Sequence, residues 1–540
     1  MLFAASNNRM GGKHSSHYDY DAHAQTVDVK DVTSHEYNAT VLQRLRDNDP
    51  GLERIKILDE NDVNMTHNFT VREGDDLGWL GYFIGNNTQL HELSIQYLPQ
   101  DVKRIDALIR GVENNKSIER LEMNMTSIAI FSKSPFRSLG RLLKNDNLRH
   151  ICFRQIDLMD SVNLQCARNI VLMLDQPKQR NAVKNLKFIG GFSDESVVKI
   201  AAALRSHPQL ENLILTNELS SDFMGISGCV ALANKLMFLQ SLKTITLTHN
   251  DIGDDGVSSL VSGLASLRSL EKLNLRGNSI GDIGFQALVE GMSNCCSLTT
   301  LDLSHNRSIT VSGLRSLATL FRSDSCSLIE VSLYGIHVGD KGAVALADGL
   351  KGNKTLKKLG FNCYPFSSYH NGRHMIISTG LTSVGWSAFS KLLCNTSSIN
   401  NTYLSNHTLE AIGTYAGAPD AVKHYLALNK HVADDKVAIQ KIVESHPDFD
   451  VESMFQWKLK LLPHVMSTLG RVGSSSLFYD DCFDTLITEE KSVEAFQSMK
   501  LSTVYKFVRG MPVEVDDCRG GNDATIVASP RKRKIDQLSR

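Results

Sequence analysis

Two adjacent carboxylates, Asp254 and Asp255, are the residues of this chain whose type and spacing first suggest chemistry. Paired aspartates can bind calcium, but an EF-hand loop needs ligands at alternate positions and a terminal glutamate, and this segment has neither. Aspartates also recur at the same phase as Asp282 and Asp340. Because aspartate at the start of a helix accepts hydrogen bonds from unpaired backbone N–H groups, the pattern predicts helix capping.

No arrangement typical of an enzyme occurs elsewhere in the sequence. There is no His-Glu-x-x-His, no Gly-x-Ser-x-Gly, no Gly-x-Gly-x-x-Gly after a strand and no paired-cysteine metal motif. The ten cysteines lack a Cys-x-x-Cys spacing, which predicts reduced and mostly buried thiols. The histidines look incidental. We therefore expect no catalytic residue, no cofactor, no metal and no small-molecule substrate, and no enzymatic activity.

The charge balance limits the classes of partner. Lysine and arginine total 58 against 59 acidic residues, so no overall basic field attracts nucleic acid or an anionic membrane. No stretch is long and apolar enough for a signal peptide or a membrane span. These features predict a monomeric cytoplasmic protein whose partner is another protein.

The elements that carry these residues follow from a repeat of the form Leu-x-x-Leu-x-Leu. Its clearest copy is Leu270, Leu273 and Leu275, followed by Asn278, and the next copy begins 28 residues later at Leu298. About twelve units are expected. The other first anchors are Leu90, Ile118, Leu148, Val183, Leu210, Leu242, Leu328, Leu356 and, more weakly, Leu52 and Ile399.

Each unit is predicted to be a strand, a turn and a helix. Gly-Asp-x-Gly begins 11 residues after three of the anchors, and a helical apolar pattern follows it. Stacked strands need less room than packed helices, so the units are predicted to form a curved α/β solenoid. The parallel sheet would line the concave face and the helices the convex face. Asn250, Asn278 and Asn306 are expected to bond to unpaired backbone groups at the turns.

This combination of Leu-x-x-Leu-x-Leu-x-x-Asn with Gly-Asp-x-Gly and a full helix resembles the ribonuclease-inhibitor-like class of leucine-rich repeat proteins, over roughly residues 50–410. The class includes repeat domains of NOD-like receptors and the GTPase-activating proteins of Ran. The resemblance implies a curved scaffold that binds other proteins. A NOD-like receptor is excluded because the chain has no nucleotide-binding Gly-x-x-x-x-Gly-Lys-Ser/Thr loop. A Ran activator would usually end in a long acidic tail, whereas this chain ends in a basic one.

Four segments are predicted. Residues 1–48 are expected to be disordered, 49–410 to form the solenoid, and 411–511 to form a helical cap or a small helical docking domain. Residues 512–540 are expected to be a disordered basic tail, either simply solvated or acting as a nuclear import signal. Its basic residues are Arg531, Lys532, Arg533 and Lys534.

Two surfaces are candidates for binding the protein partner. The first is the concave wall, formed by strand side chains between the leucines: Arg120, Glu122, Arg154, Lys187, Lys272, Asn274, Arg276, Asp302, Glu330, Tyr334 and Lys358. The second is an insertion, Cys363–Thr382, that contains Tyr364, Phe366, Tyr369 and Arg373, residue types frequent at interface hot spots. Solvated strand residues and a loop folded onto its neighbours are the simpler alternatives.

The function expected from these features is an intracellular scaffold or regulatory adaptor. The alternative is a GTPase-activating protein for a small Ran-like GTPase, with an arginine supplied from a turn near Arg104 or Arg110.

Overall fold

The computed structural model describes residues 19–446, except residues 34, 60–67, 73–74, 100, 125–138, 155–159, 175–182, 218–223, 293–296, 363–364, 371–372, 414–417 and 433. The chain divides into two compact units, Met1–Ile442 and Val443–Arg540. The first unit contains the repeats and is described below. Of the second, the structure describes residues 443–446.

A parallel sheet of 13 strands runs through the first unit, and a separate antiparallel hairpin follows its twelfth strand. Consecutive strands are neighbours in this sheet, with two exceptions. β2 is the edge strand and pairs with β1, which pairs with β3 on its other side, and the hairpin strands β13 and β14 do not belong to the sheet. The strands are β1 Arg54–Asp59, β2 Asn68–Val71, β3 Glu92–Ile95, β4 Arg120–Asn124, β5 His150–Arg154, β6 Asn185–Ile189, β7 Asn212–Thr216, β8 Thr244–Thr248, β9 Lys272–Asn274, β10 Thr300–Asp302, β11 Glu330–Ser332, β12 Lys358–Gly360, β13 Pro365–His370, β14 Arg373–Thr379 and β15 Ala411–Ile412.

Helices alternate with these strands. They are α1 Tyr20–His23, α2 Val29–Val32, α3 Glu36–Arg46, α4 Leu77–Asn86, α5 Val102–Glu113, α6 Asp160–Leu174, α7 Asp194–Leu204, α8 Ile226–Leu236, α9 Gly253–Ala265, α10 Asp282–Met292, α11 Val311–Arg322, α12 Gly339–Gly349, α13 Ser383–Leu393, α14 Ile399–Tyr403, α15 Asp420–His431 and α16 Asp434–Ser445, with a 3₁₀ helix at Gly140–Lys144. From α6 to α13, each helix packs against the helix of the next unit.

The repeat leucines form the core because the sheet register aligns them. Leu273 pairs with Ile245 on one side and with Leu301 on the other, and Leu301 pairs with Val331. These four side chains are at most 1% exposed. Side chains alternate between the two faces of a strand, so the residues between them face away from the helices. The predicted α/β leucine-rich repeat solenoid, with an open parallel sheet and one helix per central unit, is confirmed.

The N-terminal segment differs from the expectation of disorder. Residues 19–46 form α1, α2 and α3, and Val41 and Leu42 on α3 are fully buried. The Tyr20 ring lies edge-on to Trp79 of α4, with ring centroids 4.9 Å apart. Its few buried apolar residues are widely spaced in the sequence, which is why they did not predict helices. Residues 1–18 lie outside the described part.

The last repeat also differs from the expectation. Ile399, taken as its anchor, lies in α14, and the final sheet strand is β15. Its anchor is Leu409, which is fully buried two residues before β15. Beyond it, α15 and α16 begin the predicted helical segment 411–511. Residues 447–511 and the basic tail lie outside the described residues.

Candidate functional site

The eleven side chains predicted for the concave wall lie along one face of the sheet, and we call them the sheet face. Nine lie within strands β4, β5, β6, β9, β10, β11 and β12, and Arg276 and Tyr334 lie two residues after β9 and β11. All eleven are exposed or half-buried. The alternation that buries the leucines therefore places these side chains together on the opposite side of the same strands.

Charged residues at both ends of the sheet face pair across neighbouring strands. Arg154 Nε lies 3.4 Å from Glu122 Oε1, and Lys358 Nζ lies 3.8 Å from Glu330 Oε2. Such exposed ion pairs contribute little to stability, typically ~0–1 kcal/mol. Their importance here is that they already neutralise these four side chains.

The middle of the sheet face is arranged differently. Arg276 Nη2 lies 2.9 Å from His305 Nε2. The Oδ1 atom of Asn274 accepts a hydrogen bond from the Arg276 backbone N–H at 3.0 Å, and Asp302 Oδ1 accepts one from Ser304 N–H at 2.9 Å. The side chains of β9 and β10 therefore hold the turns that follow these strands.

Backbone conformation fixes the two histidines at these turns. His249, Gly277, His305 and Gly335 occupy equivalent positions in four successive units, and each has a positive φ, from 59° to 77°. A Cβ atom on Gly277 would lie 2.4 Å from His249 Nδ1, and one on Gly335 would lie 3.0 Å from His305 Nδ1. The alternation of histidine and glycine thus leaves each imidazole room against the next turn. From the sequence alone these histidines look incidental, although their alternation with glycine is readable beside the ladder asparagines.

The surroundings of His305 favour its neutral imidazole. Burial lowers its pKa, and Arg276, Arg307 and His249 lower the pKa further, whereas Asp302 opposes them. A guanidinium group can only donate hydrogen bonds, so His305 Nε2 must accept from Arg276. The proton of the neutral imidazole is then on Nδ1.

Two protein-family models match the central repeat units of the chain. A family model described as "Leucine Rich repeat" matches residues 238–261, and one described as "Leucine Rich repeats (2 copies)" matches residues 268–316. The repeats of this chain are leucine-rich repeats. The full helix in each central unit is compatible with the ribonuclease-inhibitor-like class that the sequence resembles.

Two solved structures are similar to the chain at low identity. The leucine-rich repeat-containing protein LegL7 from Legionella pneumophila is 15% identical, with 57% of this chain and 91% of that chain covered and a TM-score of 0.35. TLR13, in a complex with ssRNA13, is 11% identical, with 61% of this chain and 57% of that chain covered and a TM-score of 0.28. No curated protein sequence matches the chain.

The asparagine ladder of the leucine-rich repeats is confirmed. Asn250 N–H donates to Asn278 Oδ1, and Asn278 N–H donates to Asn306 Oδ1, both at 2.9 Å. The amide group of Asn306 donates to Leu275 O and Leu303 O. All three asparagines are at most 3% exposed. The ladder fixes the ends of the strands and with them the turns that carry Arg276 and His305.

The Gly-Asp-x-Gly carboxylates cap helices as predicted, but each caps the helix of the next unit. Asp282 Oδ1 accepts N–H bonds from Thr310 and Gly313, each at 2.8 Å, at the start of α11. Asp340 accepts equivalent bonds from Thr382 and Gly385 at the start of α13. The hydrogen bond from the Thr382 hydroxyl is the largest cause that lowers the pKa of Asp340. These carboxylates have a structural role.

The remaining candidate features are metal ligands, membrane-spanning helices and thiols. Within the ranges described, no cluster of three or more His, Cys, Asp or Glu could hold a metal ion, and no helix is long and apolar enough to cross a membrane. Cys229, Cys326 and Cys394 are buried free thiols, as predicted, and Cys152 is half-buried. Burial, together with Asp194, raises the pKa of Cys229 to about 12, so this thiol is unreactive.

The arginines suggested for GTPase activation are in a helix, not a turn. Arg104 and Arg110 both lie in α5. The Arg104 guanidinium donates to the carbonyl oxygens of Arg72 and Asp75, each at 2.9 Å. Arg110 Nε donates to Asp106 O, one turn earlier in the same helix, at 3.3 Å.

The insertion after β12 forms the hairpin of β13 and β14, whose register shifts between Phe366 and Ser367. Tyr364 and the side chains of Phe366, Tyr369 and Arg373 lie outside what the structure describes. The same applies to Arg531, Lys532, Arg533 and Lys534 of the tail.

Proposed function

We propose that this chain is an intracellular scaffold or regulatory adaptor that recognises a protein partner through the sheet face. Leucine-rich repeats generally bind proteins, and here the repeat geometry brings eleven polar side chains onto one continuous surface that the core does not use. This shared surface is the observation that carries the proposal. We propose no catalytic activity for it.

The test is capture of partners from cell extract on the immobilised full-length chain. Replacing Lys272 and Arg276 by glutamate reverses two charges in the middle of the sheet face, and we expect the captured protein to be lost. The matched control is Arg315→Glu with Lys354→Glu, two exposed cations outside the sheet face. Equal capture by both double variants, at an unchanged Tm, would remove the sheet face as the binding surface.

The insertion and the tail are secondary parts of this proposal. We propose that the β13–β14 hairpin adds contacts to the partner, since its two strands pair only with each other in the described part of the chain. Deleting residues 365–379 should then weaken capture without lowering Tm.

For the basic tail, we propose nuclear import. A fluorescent fusion that lacks residues 529–540 should stay in the cytoplasm, and an unchanged distribution would dismiss that role.

The alternative function, activation of a small GTPase, has less support. Such an activator inserts an arginine into the nucleotide site, but the Arg104 guanidinium is occupied by two backbone carbonyls. Mixing the purified chain with a Ran-like GTPase and following phosphate release tests this directly. We expect the GTPase to hydrolyse GTP at its intrinsic rate whether or not the chain is present. An acceleration by the chain that Arg110→Ala abolishes would establish the alternative.

A further inference from the structure

Two guanidinium groups, Arg276 and Arg307, lie near His305 in the middle of the sheet face. Arg276, Arg307 and His249 act electrostatically on His305, and among the described residues Asp302 is the carboxylate that opposes them. At both ends of the sheet face, by contrast, Arg154 and Lys358 pair with carboxylates of neighbouring strands. This region is therefore complementary to a negatively charged group on a bound molecule.

The Arg276 guanidinium is held in place yet has donors to spare. Among the described residues its side chain makes one hydrogen bond, to His305 Nε2, and no ion pair. A guanidinium has five N–H donors in a planar fork, which matches the two oxygen atoms of a carboxylate. Arg276 is half-buried, and His305 is fixed by its turn at a φ of 64°. The two side chains are therefore adjacent before any ligand arrives, and only their mutual hydrogen bond has to rearrange on binding.

We propose that Arg276 and His305 together bind the carboxylate of an aspartate or glutamate side chain in an acidic segment of the protein partner. This inference rests on the proposed function, because it specifies the chemistry that the sheet face recognises. An acidic peptide is the ligand that matches the local charge, and a peptide chain can lie across the neighbouring turns of an open sheet. Arg307 is exposed beside this pair and adds a second positive charge for an adjacent acidic residue.

Binding should be coupled to a proton on His305. In the free chain, Nε2 accepts from Arg276, so the imidazole cannot donate to a ligand from that atom. When a carboxylate binds, Arg276 can turn its N–H groups toward the ligand, and His305 can take a proton from solvent at Nε2 and become a second donor. The charged and titratable groups facing His305 are Arg276, Arg307, His249 and Asp302. A bound carboxylate opposes the pKa-lowering effect of the first three groups and so favours protonated His305. The affinity should therefore rise as the pH falls from 7.5 to 5.5, by roughly threefold to tenfold.

The experiment uses the full-length chain and a fluorescein-labelled hexaglutamate peptide, followed by fluorescence anisotropy at low salt. We expect Arg276→Gln to weaken binding about tenfold, since a charge-assisted bidentate contact is lost. The control Arg315→Gln removes the same charge from the exposed side of α11 and should bind within about twofold of wild type. His305→Asn, chosen because asparagine tolerates positive φ, should bind but lose the pH dependence.

Each other outcome overturns the proposal. The proposal fails if the wild-type chain does not bind the peptide, or if Arg276→Gln and Arg315→Gln bind equally. Displacement by inorganic phosphate at the same concentration as unlabelled peptide would identify a general anion site instead. These failures are separable from failure of the proposed function. Loss of capture by the Lys272 and Arg276 double variant without hexaglutamate binding would keep the sheet face and reject its carboxylate specificity.

Discussion

At the scale of single residues, the buried asparagines connect the repeat pattern to the geometry of the site. Asn278 is fully buried, and its amide group donates to Leu275 O at 2.9 Å and to Leu247 O in the preceding unit. Its Oδ1 atom accepts from Asn250 N–H. One side chain therefore satisfies backbone groups of two units that water cannot reach.

Removing this amide should destabilise the chain strongly. We expect Asn278→Ala to lower the free energy of unfolding by ~2–4 kcal/mol, because several buried backbone groups lose their partners together. Urea denaturation measures the change. Asn400→Ala, at an exposed position on α14, is the matched control and should change stability by less than about 0.5 kcal/mol. Equal effects at the two positions would contradict a ladder that supports the fold.

The sequence predicted Asn278 but not His305, and the reason is physical. A ladder asparagine repeats with the structural period, so its role follows from the pattern. His305 depends on a contact with Arg276 from the neighbouring unit and on a left-handed turn. Both become visible only when adjacent turns are placed side by side.

His407 is a second residue whose behaviour depends on contacts between distant segments. Its Nε2 atom donates to Tyr403 O at 3.0 Å, and its Nδ1 atom accepts from Lys441 Nζ at 3.2 Å. Lys441 is fully buried and also donates to Leu393 O and Asn406 O. Burial, reinforced by the Lys441 charge, lowers the pKa of His407 to about 4.

The lowered pKa predicts a loss of stability in mild acid. Between pH 6.5 and about 4 the unfolded chain protonates His407 and the folded chain does not, so stability falls as the pH drops through this window. We expect His407→Gln to remove on the order of 1–2 kcal/mol of the difference in unfolding free energy between pH 7 and pH 5. Other histidines contribute equally to both proteins. An identical pH dependence in the variant would show that His407 titrates normally.

At the scale of elements, asparagines in the loops that lead into strands mark several of the outer repeat units. Asn115 Oδ1 accepts from Ile118 N–H, Asn353 Oδ1 from Leu356 N–H, and Asn406 Oδ1 from Leu409 N–H. In each case the asparagine stands three residues before the anchor. This second ladder was present in the sequence, and it would have identified Leu409. Counting leucines alone failed because the hairpin insertion shifts the last unit.

Replacing each of the two candidate anchors, Leu409 and Ile399, by alanine tests this assignment. Leu409 is fully buried, so Leu409→Ala should cost ~2–5 kcal/mol through lost burial and a cavity. Ile399 is half-buried in α14, and Ile399→Ala should cost less than about 1.5 kcal/mol. Thermal unfolding of the two variants under the same conditions gives the comparison. A larger loss at Ile399 than at Leu409 would restore the anchor first expected from the spacing.

At the scale of the whole solenoid, the interior repeat units were predictable from the sequence and the terminal units were not. Interior units repeat, so each copy supports the assignment of the others, and Leu273 and Leu301 lie where the period requires. A terminal unit has no neighbour on one side and needs a unique closing segment. At the N-terminal edge, Asn38 of α3 accepts a hydrogen bond from Thr70 N–H at 2.9 Å and donates to Thr70 O at 2.7 Å. The Asn38 side chain thus makes the backbone hydrogen bonds at Thr70 that a further strand would make.

Removal of residues 1–48 therefore tests whether the solenoid depends on a closing segment at this edge. Strand β2 is buried along its whole length, and loss of α3 would expose it together with Phe69. An exposed apolar edge strand pairs readily with other chains, so we expect a lower Tm and concentration-dependent aggregation by light scattering.

A pair of point variants separates this effect from general damage by truncation. Leu42→Ala removes a fully buried contact of α3 and should reproduce part of the loss, ~2–4 kcal/mol, whereas the exposed Thr40→Ala on the same helix should be close to neutral. If the truncated chain and Leu42→Ala both kept the wild-type Tm, the N-terminal helices would be dispensable. The edge at β2 would then have to be stable without a cover, which its unpaired backbone groups argue against.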